Sequence, residues 1–443
     1  MNTSITRRRF LKGSALVTSS VAIPYLIPSG VLAAAGQPGA NDRVGVGVIG
    51  MGRRAGELLR DKEGFTQARL VAFADVNLNR ARENAAKHDA FACQDYRQLL
   101  ERKEVDAIIT ATPEHWRALT CIHACQAGKD LYVEKPMTLT IREGRLMVEA
   151  ARKYKRVFQV GSQQRSDWAD IEGCKFIREG GLGKIKRVYV WNYPSPWECA
   201  LPAEPIPDGL DWDLWCGPAE KVPYNKDLYL PRANPGWLSF RPYSGGEMTG
   251  WGAHGFDMIQ LALGMDEGGP IEIWTEGPKF QTVTYAQAES KKRGDEITNA
   301  PKVFFRYPGG IVMELVDKTP DGVKPPPFGG IIVGEKGTFT IDRGRLSSDP
   351  EDMAIAILSK RPKGYNNSHI SNWLSCIKSR TKPAADAEIG HRSATVCHLG
   401  NIARYTGRKL KWDPVKETFE GDAPANNYLD CVRRKGYELP KKV

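Results

Sequence analysis

The chain has 443 residues, of which 41% are hydrophobic, so it is long enough for two domains with sizeable cores and does not read as a disordered protein. Lysine and arginine outnumber aspartate and glutamate by 63 to 52, which gives a formal net charge of +11. Because the basic residues are scattered among acidic ones and not clustered, the composition argues against nucleic-acid binding.

Residues 1–35 are predicted to be a targeting segment. Residues 6–12, TRRRFLK, resemble the twin-arginine export signal at every position. A weakly apolar stretch, 13–35, follows and ends in small residues that suit signal cleavage. The alternative is a membrane anchor, but prolines and polar residues interrupt the stretch too often for a span. We therefore expect export to the periplasm through the twin-arginine pathway, with no stable membrane span after processing.

Residues 44–56, VGVGVIGMGRRAG, predict a strand, a glycine turn and a helix. The apolar run is typical of a buried parallel strand, and Gly50 and Gly52 suit a turn at which the main chain approaches a pyrophosphate. Gly56 is interpreted as the position where helix and strand pack closely. The spacing GxGxxxG is one residue longer than the common form. The predicted dinucleotide contacts here are Gly50, Met51, Gly52, Arg53 and Arg54.

A second predicted strand, 69–75, ends in Asp75, which lies 19 residues after Gly56. A carboxylate at this place bonds both ribose hydroxyls and repels a 2′-phosphate, so it favours NAD over NADP. Three arginines, Arg53, Arg54 and Arg80, would offset that repulsion. NAD is therefore the predicted cofactor and NADP the alternative.

Residues 42–165 alternate between strand and helix patterns, which predicts an α/β fold with a parallel, doubly wound sheet. The pattern changes from residue 166. Residues 190–245 are rich in proline, tryptophan and tyrosine and are expected to form long loops over a cleft. Short strand candidates between 271 and 341 are joined by glycine turns, which indicates a mainly antiparallel sheet.

Three motifs occur in order: the glycine loop, the EKP string 134–136, and the string GAHGFD at 252–257. Together they resemble the glucose–fructose oxidoreductase / inositol dehydrogenase (Gfo/Idh/MocA) family over nearly all of the mature chain, and 111–115 and 160–165 also fit. The resemblance implies an N-terminal Rossmann domain, here 42–165. It also implies a C-terminal α/β domain for substrate binding and oligomerisation, here 166–443, with a large open sheet through which relatives form homodimers or homotetramers.

By this resemblance Lys135 and His254 are the catalytic residues of a nicotinamide-dependent enzyme that acts on sugars, cyclitols or glycosides. Lys135 would stabilise the alkoxide of the reacting hydroxyl, and His254 would be the general acid/base. The structural alternatives are a surface salt bridge and a helix-start histidine. Glu134 would orient the lysine, and Pro136 would fix a turn there, with a cis bond as one option. Lys135 is also a predicted contact to the cofactor, and Lys135 and His254 are both predicted contacts to the substrate. The remaining predicted contacts are Thr112, His115 and Glu134 for the cofactor and Arg165, Asp257 and Arg117 for the substrate.

No metal site is predicted, because His254 and Asp257 lack further partners at suitable spacing. Two positions depart from many relatives of this family. Gly250 stands where an acid often precedes the histidine by four residues, which removes a charge from the site. Arg117 stands two residues after His115, at a position where many relatives have a second histidine. It adds a fixed cation able to hold a carboxylate or phosphate.

These features support two hypotheses. The first is an exported oxidoreductase with a tightly held cofactor, since the twin-arginine route carries folded proteins and free NAD is not available outside the cytoplasm. Its cycle would use a second substrate, or be redox-neutral through a keto-sugar, with epimerisation or glycoside cleavage as the outcome. The alternative, motivated by Gly250 and Arg117, is a catalytically impaired sugar-binding protein that retains the fold.

Overall fold

The computed structural model describes residues 42–230, 236–286 and 301–443. The predicted targeting segment, 1–35, lies outside the described residues. Within those three ranges, no helix is both long enough and apolar enough to cross a membrane.

The first sheet has six parallel strands in the order β3-β2-β1-β4-β5-β6. All six residues of β1 are buried, as the apolar run predicted. This arrangement confirms the predicted parallel, Rossmann-like sheet. Its strands are β1 Val44–Ile49, β2 Ala68–Ala74, β3 Phe91–Cys93, β4 Ala107–Thr110, β5 Asp130–Val133 and β6 Phe158–Val160. The helices between them are α1 Arg53–Leu58, α2 Leu78–Ala86, α3 Tyr96–Leu100, α4 Glu114–Gln126 and α5 Ile141–Lys153.

The glycines of the first loop differ in whether a side chain could replace them. Gly50 has a φ of +83°, and a Cβ there would lie 3.0 Å from the amide nitrogen of Thr112, so this position requires glycine. The interpretation of Gly56 as a close-packing position is wrong, because a Cβ there would meet nothing within 4 Å. The close approach between strand and helix occurs instead at Gly47, where a Cβ would lie 2.7 Å from Leu99 Cδ2 of α3.

The second sheet has nine strands in the order β16-β15-β14-β7-β13-β12-β10-β17-β18, and only its β7–β13 pair is parallel. The predicted large, mainly antiparallel sheet is thus confirmed. Its strands are β7 Ile185–Trp191, β10 Glu272–Glu276, β12 Lys302–Arg306, β13 Val312–Val316, β14 Gly329–Gly334, β15 Gly337–Asp342, β16 Arg345–Asp349, β17 Leu410–Asp413 and β18 Thr418–Phe419.

Helices pack on this second sheet, and one helix returns to the first. Helix α10 (Gly252–Ala262) contacts β14 and β7, and helix α13 (Ala387–Thr406) contacts β10 and β12. Helix α12 instead buries Ile370, Trp373 and Leu374 in the core beneath the first sheet, so residues beyond 166 also stabilise that sheet. These helices are α6 Trp168–Arg178, α10 Gly252–Ala262, α11 Asp352–Leu358, α12 His369–Ser379, α13 Ala387–Thr406 and α14 Ala423–Asn426.

The aromatic segment between β7 and α10 is largely irregular. Its two strands, β8 and β9, form a small sheet with β11, which comes later in the chain, and its described residues also include three short α-helices. Its tryptophan and tyrosine side chains form a core of their own, in which the Trp212 and Trp215 rings stack 4.4 Å apart. The elements are β8 Trp197–Cys199, β9 Phe240–Arg241, β11 Thr284–Tyr285, α7 Trp212–Cys216, α8 Lys226–Tyr229 and α9 Glu247–Gly250.

Candidate active site

Two adjoining depressions lie at the carboxyl ends of the parallel strands, where ligands bind in sheets of this type. Residues Arg53, Arg54, Ala111 and Trp237 line both. The first, here called the glycine groove, is lined among others by Gly50, Gly52, Asp75, Arg80, Thr112, Trp116, Trp215 and Tyr229. The second, here called the polar cleft, is lined among others by Arg117, Glu134, Lys135, Asp170, Trp251, His254, Phe328 and Arg343.

The glycine groove fits a dinucleotide. A Cβ on Gly52 would meet nothing within 4 Å, so the main chain of the loop borders open space there. Asp75 follows β2 and is buried, and its carboxylate accepts the amide protons of Met51 at 2.6 Å and Asn77 at 2.8 Å. Burial raises the pKa of Asp75, while Arg80 at 3.6 Å opposes that rise. The carboxylate is therefore fixed against the glycine loop beside the open groove.

A distant segment covers this groove. The amide of Leu78 donates to the Gly209 carbonyl at 2.9 Å, and the amide of Asp211 donates to the Val76 carbonyl at 2.9 Å. The chain beyond this junction brings Trp215 and Tyr229 onto the groove, and Arg80 donates to the Tyr229 hydroxyl. The sequence indicated loops over a cleft, but it did not indicate that they attach beside the acid at the end of β2.

His115 lies behind the groove, and it lines neither depression as described. Its Nε2 is 2.9 Å from the carbonyl oxygen of Trp215, and its ring packs edge-on against those of Trp215 and Tyr243. Burial lowers the pKa of His115 to about 4, which keeps the ring neutral. His115, which was predicted to contact the cofactor, thus supports Trp215, a residue that lines the groove. Thr112, also predicted to contact the cofactor, does line the groove.

Lys135 extends from the end of β5 into the polar cleft, and its peptide bond to Pro136 is cis. Its ammonium donates to the Gly250 carbonyl at 2.9 Å. Glu134 is buried and accepts from Arg54 at 2.8 Å and from Gln163 at 3.1 Å, and its other oxygen accepts the Lys135 amide proton at 3.2 Å. Glu134 therefore contacts the main chain of the lysine and fixes it beside the cleft.

His254 stands in the first turn of α10 and faces the same cleft. Its Nε2 lies 2.9 Å from Nη2 of Arg343, and the Arg343 guanidinium lies 3.8 Å above the Phe328 ring. A guanidinium only donates, so Nε2 accepts and the ring proton of the neutral imidazole sits on Nδ1. The fold thus brings Lys135 and His254, which are 119 positions apart in the chain, to one cavity.

Arg165 and Asp257 are not brought to the cleft. Arg165 Nε lies 2.9 Å from both Asp257 oxygens, and its Nη2 lies 2.8 Å from Asp266. Ser393 donates to Asp257 at 2.6 Å. The pair is buried, and burial raises the pKa of Asp257 against the opposing charge of Arg165. The two predicted substrate contacts instead form an ion pair that joins α10 to α13 and to the segment after β6.

The departures predicted at Gly250 and Arg117 have structural counterparts. A Cβ on Gly250 would lie 2.7 Å from Glu247 Oε2, so a carboxylate one helical turn earlier occupies the space beside it. Arg117 lines the cleft, where its Nε donates to the Thr112 carbonyl at 3.0 Å and its Nη1 to that of Pro136. Arg117 therefore fixes the main chain beside Lys135, and Gly250 supplies the carbonyl that accepts from the lysine.

Sequence analysis missed Arg343 and Asp170. Both oxygens of Asp170 accept the Gly344 amide, at 2.9 and 3.0 Å, and burial raises the pKa of Asp170 to about 7. The only sequence signal is an Arg-Gly pair just after the last predicted strand, which marks a turn and not a site. Within the described ranges, no group of three or more His, Cys, Asp or Glu residues is arranged to hold a metal ion.

Comparison with known families gives two matches that cover most of the chain. Residues 44–162 match "Oxidoreductase family, NAD-binding Rossmann fold" (GFO_IDH_MocA), and residues 183–439 match "Oxidoreductase family, C-terminal alpha/beta domain" (GFO_IDH_MocA_C2). The first description confirms the prediction of NAD as the cofactor. The structure of the WlbA dehydrogenase from Bordetella pertussis with NADH and UDP-GlcNAcA superposes with a TM-score of 0.57 at 17% identity, covering 84% of this chain and 99% of that one.

Two relatives with partial matches are similar at the level of sequence. A glycosyl hydrolase family 109 protein of Shewanella baltica is 28% identical over 206 residues, 41% of this chain and 44% of the relative, so the match spans less than half of that protein. The scyllo-inositol 2-dehydrogenase (NAD(+)) of Bacillus subtilis is 26% identical over 253 residues, 56% of this chain and 65% of the relative.

Proposed function

The chain belongs to the Gfo/Idh/MocA family of NAD-binding oxidoreductases, and on that premise we propose that it oxidises a hydroxyl group of a sugar, cyclitol or glycoside while keeping its cofactor tightly bound. The observation that carries the proposal is the shared cleft of Lys135 and His254, which adjoins the glycine groove. The dehydrogenase named for scyllo-inositol among the relatives supports this class of substrate.

The residues that would hold NAD are Gly52, Asp75 and Thr112, which line the groove. When bound, NAD supplies an acceptor for the hydride that leaves the substrate carbon. His254 Nε2 takes the hydroxyl proton, and the Lys135 ammonium stabilises the negative charge that develops on that oxygen. The Gly250 carbonyl accepts a hydrogen bond from the ammonium and so fixes its position in the cleft. The substrate thereby loses a proton and a hydride and becomes a ketone.

The aromatic cover supports tight retention of the cofactor. Trp215 and Tyr229 line the groove together with the glycine loop, and the main-chain bonds at Gly209 and Asp211 attach the segment that carries them beside Asp75. A retained cofactor has to be returned to its starting state in place. The glycosyl hydrolase named among the relatives favours a redox-neutral cycle in which the ketone acidifies a neighbouring C–H bond and permits cleavage. Export by the twin-arginine route remains part of this proposal.

The alternative is a sugar-binding protein without turnover. It is favoured by one observation, the donation of Arg343 to the nitrogen of His254 that would accept a proton. It predicts that sugars bind and that no hydride is transferred.

The test begins with the full chain expressed with residues 1–35 and purified from the periplasm. The protein is denatured and any released nucleotide is identified by mass. Stoichiometric NAD, followed by keto-sugar formation from a glycoside panel, would support the proposal. Protein that lacks nucleotide and binds none when it is added would contradict it. Substitution of both Arg7 and Arg8 by lysine should hold the protein in the cytoplasm, and unchanged periplasmic yield would contradict the export step.

A further inference from the structure

The turn between β15 and β16 holds an arginine in an unusual conformation. Arg343 has a φ of +41° and Gly344 a φ of +77°, so two consecutive residues occupy the left-handed region. Glycine adopts this region readily, but arginine does so only when its surroundings enforce it. The two bonds from Gly344 to the Asp170 carboxylate supply that restraint. Such restrained residues often occur at functional sites, which directs attention to the side chain.

The Arg343 side chain lines the polar cleft and contacts His254 there. Its guanidinium lies 3.8 Å above the Phe328 ring and its Nη2 donates to His254 Nε2 at 2.9 Å. A guanidinium carries five N–H donors in a planar fork, and the fork suits a carboxylate or phosphate better than a single imidazole nitrogen. The residue therefore has the chemistry of an anion receptor and is placed at the predicted general base.

The distribution of charges in the cleft also favours the binding of an anion. Its acids already have cationic or amide donors: Glu57 and Glu134 pair with arginines, and Asp167 and Asp170 accept amide protons. The hydrogen bonds of Arg117 and Arg343, by contrast, go to neutral carbonyls and to an imidazole. Burial and the nearby Arg54 lower the pKa of Arg343, against the opposing charges of Asp342, Asp170 and Glu134. The guanidinium thus stands partly buried beside a second arginine, and an anion that hydrogen-bonds to it would stabilise its charge.

We propose that Arg343 binds an anionic group, a carboxylate or a phosphate, on the sugar substrate, and that its transfer from His254 to this group leaves Nε2 to accept the hydroxyl proton. The inference rests on the proposed function, because it takes His254 as the base. It names a substrate class, acidic or phosphorylated sugars, and it makes a neutral sugar a poor substrate because the histidine stays bonded to Arg343.

The test compares matched ligands that differ at one carbon. D-glucose, D-glucuronate and D-glucose 6-phosphate are titrated calorimetrically into the nucleotide-bearing protein as purified. We expect at least one anion to bind about tenfold or more tightly than glucose, and the stronger of the two anions distinguishes carboxylate from phosphate. In Arg343→Gln this preference should fall to about twofold or less, and Arg343→Lys should keep part of it. Arg345→Gln, which alters an exposed arginine of the same hairpin, is the matched control and should keep all of it.

A second measurement reports on His254 directly. Its ring signal in a proton–carbon NMR spectrum is identified by its loss in His254→Asn. The favoured anion should shift this signal in the wild type and leave it unmoved in Arg343→Gln. Equal binding of glucose and both anions, no binding of either anion, or a preference that survives in Arg343→Gln would each overturn the inference.

Neither measurement needs hydride transfer, so the two proposals fail separately. Anion preference without any oxidation would refute the proposed oxidoreductase and keep the anion site. Oxidation of neutral sugars without anion preference would do the reverse.

Discussion

The glycine groove and the polar cleft are neighbours, yet they are built in different ways. The groove is lined by residues that directly follow strands β1, β2 and β4, and its volume is about 110 Å³. The cleft is larger, about 610 Å³, and takes Lys135, His254 and Arg343 from three segments far apart in the chain. The groove is thus set mainly by local turns, whereas the cleft depends on how the second sheet meets the first. Variants should separate the two.

The variant Lys135→Met is expected to show the largest difference between an effect on the cleft and an effect on the groove. The loss of an ammonium that stabilises the developing alkoxide should lower kcat by about 10³-fold, the upper range for one such donor. The nucleotide content should stay unchanged, since the groove is not altered. The measurement is single-turnover oxidation of the sugar identified by screening, together with nucleotide released on denaturation. Lys186→Met, at an exposed site on β7, is the control. Equal kcat in the two variants would contradict the role of Lys135.

A smaller effect is expected from Asp170→Asn, and it appears in stability. Burial raises the pKa of Asp170 to about 7 in the folded protein, far above its usual value in an unfolded chain. A raised carboxyl pKa favours the protonated form in the folded state, so its contribution to stability is present below about pH 4 and is lost as the pH rises to about 7. The wild type should therefore lose about 3 kcal/mol more of its stability than the variant over this range.

Urea unfolding at pH 4, 5.5 and 7 would check this prediction. Asp75→Asn serves as the comparison from the groove, since burial also raises the pKa of that carboxyl. An identical pH dependence in the wild type and Asp170→Asn would show that Asp170 does not titrate as described.

Trp215→Ala should act on the groove alone. Removing this ring opens the cover and also removes the packing against His115, so NADH should dissociate about tenfold faster, which corresponds to about 1.4 kcal/mol. Stopped-flow fluorescence of bound NADH gives the rate. Trp274→Ala, on the second sheet, should leave it unchanged. A dissociation rate equal to that of the wild type would mean that the aromatic cover does not retain the cofactor.

Sequence patterns predicted both sheets, the turn at Gly50 and the acid at the end of β2, and these features depend on apolar periodicity and on short strings whose geometry is local. That Lys135 and His254 act at one site was implied only by the family resemblance. The rest depended on partners that the pattern does not contain. A charged residue inside a motif looks the same whether it faces a cleft or a buried partner, and Arg165 pairs with Asp257, 92 positions later. Arg343 belongs to no motif, since its place beside His254 depends on the β15–β16 turn and on the contact of that turn with Asp170, which is distant in the chain.

Gly56 gives the smallest and most local test, because its predicted close packing is absent. A Cβ there meets nothing within 4 Å, and glycine inside a helix costs about 0.5–1 kcal/mol relative to alanine. Gly56→Ala should therefore raise the free energy of unfolding by about that amount and leave the nucleotide content unchanged. Gly50→Ala is the matched contrast, since its φ of +83° and the Thr112 amide at 3.0 Å oppose a side chain, so nucleotide should be lost. Destabilisation by Gly56→Ala would restore the close-packing interpretation, because only a steric conflict with the first sheet would outweigh the gain in helix propensity.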